Sequence, residues 1–294
     1  MLELHDITKR YGDRLVLDRV TFTVGRGRMT GFVGGNGAGK TTTMRIILGV
    51  LAADGGAIAL DGSPLTAADR RRFGYMPEER GLYPKMKVAE QLVYLARLHG
   101  FGPATAQRNA TALLERLDLG ERANEPVERL SLGNQQRAQI AAALVHDPEV
   151  LILDEPFSGL DPMAVDVVLN VLKERTAAGV PVLFSSHQLD IVERLCDDLV
   201  IIAAGEIRAD GPRERLRREH SEDRTEILLS GDAGWLREVP GIHVVDFDGG
   251  WALFESDSEE ARQAVLNRAL RHGDVVNFGR QQSTLAEIFK EVVK

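Results

Sequence analysis

The sequence predicts an α/β fold, a mostly parallel sheet wrapped by helices, followed by a smaller α+β domain. Three observations predict it. Short apolar runs alternate with helical patterns from Met29 to Ala204, a glycine-rich turn joins one such run to a helix, and the pattern changes character after the charged segment Pro212 to Asp223. Apolar strands alternating with helices indicate a parallel sheet buried on both faces.

The elements follow in order. L-E-L at the start and V-T-F-T-V, Val20 to Val24, alternate with period two, so the first 25 residues read as half-buried strands. Met29 to Val33 is a buried strand ending in the glycine-rich turn, and Thr41 to Leu48 continues with helical spacing. Val88, Leu92, Leu95 and Leu98 recur on one helical face with Gly100 as a stop, and Ala104 to Leu117 gives a second helix. Then come a helix from Ser131, a strand Val150 to Leu153, a helix from Asp161-Pro162, a strand Val180 to Phe184, a helix from His187 and a strand Leu199 to Ala203. Farther on, Thr225 to Leu229, Ile242 to Phe247, Trp251 to Phe254 and Val275 to Phe278 read as strands, with helices at Ser258 to His272 and Leu285 to Val293. That order resembles a split β-α-β-β-α-β unit. The expected domains are residues 1–219, with a helical subdomain at about 87–147, and residues 220–294.

Composition excludes several classes. Apolar content of 44% and charged content of 27% are those of a globular chain rather than a disordered or fibrous one. The longest apolar runs, such as Leu199 to Ala204, fall far short of the ~20 residues of a membrane helix. M-L-E-L-H-D-I-T-K-R has no basic segment followed by an apolar one, so a cytoplasmic protein is expected. A net charge of -8 gives no reason to expect nucleic acid as a partner. The local runs Arg70 to Arg72 and Arg213, Arg215, Arg217 and Arg218 read as solvated faces. Cys196, the only cysteine, has no internal partner, and its setting E-R-L-C-D-D-L reads as a helix end near the core.

Four segments carry chemistry. G-G-N-G-A-G-K-T, comprising Gly34, Gly35, Asn36, Gly37, Ala38, Gly39, Lys40 and Thr41, lies between a strand and a helix and is followed by Thr42. Glycines let successive N–H groups wrap a phosphate, Lys40 adds positive charge and Thr41 a hydroxyl for Mg²⁺. L-I-L-D-E-P puts Asp154 and Glu155 at the carboxyl end of a buried strand, where ligands of open parallel sheets sit. Alone, the pair fits a turn cap equally well; beside a phosphate loop, Asp154 would hold Mg²⁺ and Glu155 would orient and deprotonate water. F-S-S-H ends the next strand in the same way, placing His187 where it would reach a γ-phosphate. The fourth segment, L-S-L-G-N-Q-Q, begins a helix at Ser131 and so offers N–H groups to an anion, although a complete phosphate loop already precedes it.

In this order and spacing, the four segments resemble the nucleotide-binding subunits of ABC transporters, over Leu2 to about Gly211. The resemblance implies an α/β P-loop NTPase core with a mixed, mostly parallel sheet, an N-terminal antiparallel β subdomain and a helical subdomain, the C-terminal α+β (ferredoxin-like) domain being extra. It implies an ATP hydrolase using ATP and Mg²⁺, with Tyr11 stacking on adenine, Lys40, Glu155 and His187 catalytic, and Thr41, Asp154 and Glu78 at the metal. Ser131 and Gly133 would complete the site of a second ATPase subunit, identical or different, so that two chains close around two ATPs. S-G-L-D, Ser158 to Asp161, would reach across the same interface. A separate integral membrane subunit would dock from about Glu78 to Leu98, although Leu82 and Tyr83 equally fit a core. The chain would then sit on the inner face of the membrane.

Four positions depart from the family pattern. Leu132 stands where a second glycine is usual, Asn134 where glutamine is usual, and Glu78 where glutamine is common; Gly35 also replaces a frequent proline. The E-E-R-G-L-Y-P form of the Glu78 loop, with the extra domain, resembles a branch grouped with sodium and drug exporters. The alternative function is a soluble ABC-type ATPase acting on a macromolecular complex. A phosphate-loop kinase would leave L-S-L-G-N-Q-Q and His187 unexplained.

Overall fold

The computed structural model describes residues 1–79, 81–220, 223–272, 275–281 and 283–293. It divides into two compact units, Met1–Arg213, to which Val292 and Val293 also belong, and Glu214–Glu291.

The first unit opens with β1 (Leu2–Tyr11) and β2 (Arg14–Val24), paired antiparallel, then β3 (Met29–Val33) and α1 (Lys40–Ile47). After β4 (Gly55–Leu60), β5 (Ser63–Pro64), α2 (Ala67–Arg70) and β6 (Phe73–Met76) come three helices: α3 (Val88–Leu98), α4 (Pro103–Arg116) and α5 (Leu132–Leu144). Alternation then sets in with β7 (Val150–Leu153), α6 (Pro162–Ala177), β8 (Val182–Ser186), α7 (Leu189–Leu195), β9 (Asp198–Ala203) and β10 (Glu206–Pro212), and α8 (Arg213–Glu219) follows.

These strands form two sheets. One is antiparallel with order β2-β1-β4-β5; the other runs β10-β9-β3-β8-β7-β6, parallel throughout except for β10, which pairs antiparallel with β9. Every residue of β3, β7 and β8 is buried, as strands covered on both faces must be. In β2 burial alternates instead, with Val20, Phe22 and Val24 turned inward. One core joins the two sheets through α1, bringing Leu4 and Phe22 together with Phe32, Met44, Ile47, Ile152 and Leu183. Asp161 caps α6 by accepting the Ala164 N–H at 2.8 Å, with Pro162 at the first helical position.

Helix α7 packs against β3 at a point where only glycine fits. A Cβ on Gly31 would lie 2.6 Å from Cys196 Sγ and 2.7 Å from Val192 Cγ1. Cys196 ends α7 at 2% exposure, and burial holds its thiol well above the ordinary range, so it is the core-facing helix end expected from sequence.

The second unit contains α8 from Glu214 on, β11 (Arg224–Leu229), β12 (Ile242–Asp248), β13 (Trp251–Ser256), α9 (Glu259–His272), β14 (Val275–Arg280) and α10 (Leu285–Val292). All pairings are antiparallel in the order β12-β13-β11-β14, the order of a ferredoxin-like sheet. One element of the expected β-α-β-β-α-β unit is reduced: between β11 and β12 the helix is a 3-10 turn, Gly234–Glu238. Leu236 of that turn is fully buried beside Ile227, Phe254, Val265 and Ala269, so five residues close the core where the β-α-β-β-α-β pattern has a helix. No helix among the described residues is long and apolar enough to cross a membrane.

Candidate active site

Parallel strands deliver their carboxyl ends to one edge of a sheet, and here four of them deliver chemistry. β3 leads into Gly34, β6 toward Glu78, β7 into Asp154 and β8 into His187.

Gly39 caps α1 with φ +114°, a backbone setting that disfavours any side chain, and a Cβ there would lie 2.5 Å from Leu17 Cδ2. No side chain among the described residues caps this helix, which leaves its first N–H groups and the positive end of its dipole for an anion. Lys40 is 9% exposed and donates to the Gly34 and Gly35 carbonyls at 2.6 and 3.2 Å, so the loop itself holds its ammonium.

The carboxylates are held from several sides. Asp154 accepts from Thr41 Oγ1 at 3.0 Å and from Ser185 Oγ on β8. Ser185 in turn accepts the Glu155 N–H at 2.9 Å. Glu155 has φ +52°, a left-handed setting that is unfavourable for a residue with a side chain. It turns the chain so that its carboxylate meets His187, whose Nδ1 lies 3.0 Å from Glu155 Oε2. Asp154 and Glu155 are 1% and 8% exposed, which keeps both charges in a poorly solvated setting, while His187 remains open.

Helix α5 holds two of these loops by their backbones. Gln136 donates its side-chain amide to the carbonyls of Glu155 and Pro156 at 2.9 and 3.1 Å. Gln139, one turn on, donates to the carbonyls of Pro77 and Glu79 at 2.6 and 3.2 Å, on either side of Glu78. At the helix start, Ser131 accepts the Asn134 N–H at 3.3 Å, and Ser131 and Leu132 are exposed. Asn134 accepts from Arg137 at 2.5 Å, so its side-chain oxygen is engaged along its own helix.

Together these residues line a cleft of about 810 Å³: Tyr11, Asn36 to Thr42, Glu78, Asp154, Glu155 and His187, joined by Arg14 and Val16. Tyr11 is exposed at the rim, paired with Arg14 across the β1–β2 turn. Of the residues expected from sequence, Ser131 and Gly133 do not line this cleft, and the Gly34 and Gly35 carbonyls instead face Lys40. Ser185, Gln136 and Gln139 were not foreseen. F-S-S-H contained the serine, but nothing in its spacing marked it. The volume is ample for a nucleotide. The Thr41 hydroxyl and Asp154 carboxylate, 3.0 Å apart, are the hard oxygen donors that suit Mg²⁺. Among the described residues no group of three or more His, Cys, Asp or Glu could hold a metal by itself.

A phosphate loop at the carboxyl edge of a mostly parallel sheet, facing a hard-oxygen pair and a second carboxylate in reach of a histidine, defines a P-loop nucleoside triphosphatase. Comparison with known proteins narrows the class. Residues 17–158 match the ABC transporter family, and residues 211–293 match the C-terminal domain of DrrA1-3-like ATP-binding proteins. An uncharacterized ABC transporter ATP-binding protein of Bacillus subtilis, YhaQ, is 38% identical over 293 residues, covering 100% of this chain and 98% of its own. A Nod factor export ATP-binding protein of Ralstonia nicotianae is 37% identical, covering 77% of this chain and 72% of its own. A solved ATP-binding subunit of an ABC transporter superposes with a TM-score of 0.68 at 37% identity, covering 74% of this chain and 92% of that one. The chain belongs to the ABC transporter ATP-binding proteins, the ATP-hydrolysing cassettes of that family.

Proposed function

We propose that this chain is the motor subunit of an exporter: it closes with a second ATPase chain around two ATP molecules and thereby drives a separate integral membrane subunit. One observation carries the pairing. Ser131 and Gly133 begin a helix whose exposed N-terminal residues are equipped for an anion, yet they lie outside the chain's own nucleotide cleft. They are therefore assigned to the γ-phosphate held by a partner chain, with Ser158 to Asp161 at the same interface.

Within the cleft, the N–H groups of residues 36–42 and the Lys40 ammonium hold the phosphates, and Tyr11 stacks on adenine. Thr41, Asp154 and Glu78 hold Mg²⁺, which supplies charge neutralisation to the phosphates. Glu155 takes the proton of the attacking water, and His187 holds Glu155 and the γ-phosphate in line. Loss of the γ-phosphate weakens the helix-end contact, and the two chains part.

Tyr83, Tyr94 and Leu98 are large exposed side chains on and after the Glu78 loop, which supports a membrane subunit docking there. Such docking places the chain on the inner face of the membrane. Export is supported by the relative whose name describes Nod factor export. We assign residues 1–219 to ATP binding, with 87–147 as helical subdomain, and 220–294 to an accessory domain.

Glu155→Gln tests the reading. The variant should bind ATP, lose nearly all hydrolysis and accumulate as an ATP-bound dimer by size-exclusion chromatography. Hydrolysis at the normal rate would remove Glu155 as the base. Ser131→Arg should abolish hydrolysis while the isolated chain still binds ATP; loss of ATP binding by the monomer would refute the partner-site assignment.

A further inference from the structure

The structure assigns a positioning role to Gln136: we infer that its amide sets the Glu155 carboxylate for hydrolysis and couples that setting to the helix end presented to the other nucleotide. The inference rests on the reading above, in which Glu155 is the base and Ser131 serves a partner.

Three observations support it. Glu155 holds a left-handed backbone at φ +52°, which a residue with a side chain keeps only when its surroundings impose it. The peptide is gripped on both sides, its N–H by Ser185 Oγ at 2.9 Å and its carbonyl by Gln136 Nε2 at 2.9 Å. Gln136 also takes the next carbonyl, that of Pro156, at 3.1 Å, and at 6% exposure it has little water to exchange with. Its donor hydrogens are thus spent on the backbone that aims the catalytic side chain.

The second half of the inference comes from where Gln136 is rooted. It lies in the first turns of α5, five residues after Ser131, the N-cap. A shift of α5 that brings Ser131 onto a partner's nucleotide therefore moves the Glu155 carbonyl as well. Gln139 extends the same device to the Glu78 loop through the Pro77 and Glu79 carbonyls. One helix thus reads the partner's site at its tip and adjusts two loops of its own site along its side.

The test uses the full chain and a double-mutant cycle. Gln136→Met keeps length and volume but donates nothing. It should lower kcat about tenfold or more while the KM and Kd for ATP change by less than about threefold, because a small misplacement of a catalytic group is felt mainly in turnover. Combined with Glu155→Gln it should add no further loss, since the residue it positions is already disabled. If Gln136→Met keeps kcat within twofold, or if its loss multiplies that of Glu155→Gln, the inference is overturned. A normal rate for Glu155→Gln alone would instead overturn the underlying reading. Should Gln136→Met fail to fold, Gln136→Glu decides: only its protonated carboxyl can donate to the Glu155 carbonyl, so its activity relative to the parent chain should rise as pH falls from about 8 to 6. A flat ratio would overturn the inference.

Discussion

Replacing Ser185 with alanine should expose how much the carboxylate pair depends on one hydroxyl. Ser185 is 0% exposed, donates to Asp154 and accepts the Glu155 N–H. Its removal deletes a bond to a charged group, about 1.5–3 kcal/mol, and leaves a buried N–H without a partner, about 1–3 kcal/mol. Asp154 keeps Thr41, so the smaller end of each range applies and the sum is about 2.5 kcal/mol. At about 2–4 °C per kcal/mol for a unit of this size, the nucleotide-free unfolding midpoint should fall by roughly 5–10 °C. The same change frees the Glu155 peptide on its N–H side, so kcat should fall about tenfold with ATP affinity little altered. Differential scanning calorimetry without nucleotide and a steady-state phosphate-release assay measure the two effects. A midpoint within about 2 °C of the parent chain, with unchanged kcat, would refute the claim that Ser185 holds this corner of the site.

Two further outcomes are expected. His146 is 8% exposed, stacked on His99 at 3.7 Å, and donates from Nε2 to the Phe73 carbonyl; burial, then the neighbouring imidazole, lowers its pKa from 6.5 to about 4. The neutral form is the one folding requires, so this contribution is complete above pH 6.5 and is lost as pH falls from 6.5 toward 4, up to about 3 kcal/mol. Urea unfolding of the parent chain should weaken between pH 7 and 5 more steeply than that of His146→Gln; parallel curves would remove His146 as the source. Gly31→Ala should destabilise the first unit by about 1–3 kcal/mol through overlap with Cys196 and Val192, and adding Cys196→Ala should recover part of it. Thermal unfolding of the single and double variants reads this directly, and no recovery would mean that Val192 alone sets the clash.

Legibility from sequence followed locality. The phosphate loop, the strand before Asp154 and the cap at Asp161-Pro162 are each written in consecutive residues, and all appear in the fold. β10, Glu206 to Pro212, was missed because a polar, half-exposed edge strand carries no apolar run, and β6 because four residues are too few to show a period. In the small unit, the resemblance to a β-α-β-β-α-β order holds for the strands, while the stretch between β11 and β12, for which no helix is read, packs as a short turn. Within the site, Gln136, Gln139 and Ser185 act through backbone atoms of residues 19 to 62 positions away, and no spacing within the chain encodes such contacts. The left-handed Glu155 was equally hidden, since the residue type argues against that conformation.

The thiol wedged beneath β3 has a practical consequence. Because the chain holds one cysteine and that one is walled in by Gly31 and α7, with its ionisation suppressed, maleimide reagents should pass it by. A cysteine introduced at exposed Ser131 or Tyr83 would then be the sole labelling point on an otherwise unaltered chain, so spectroscopic rulers can be attached without first removing the native thiol.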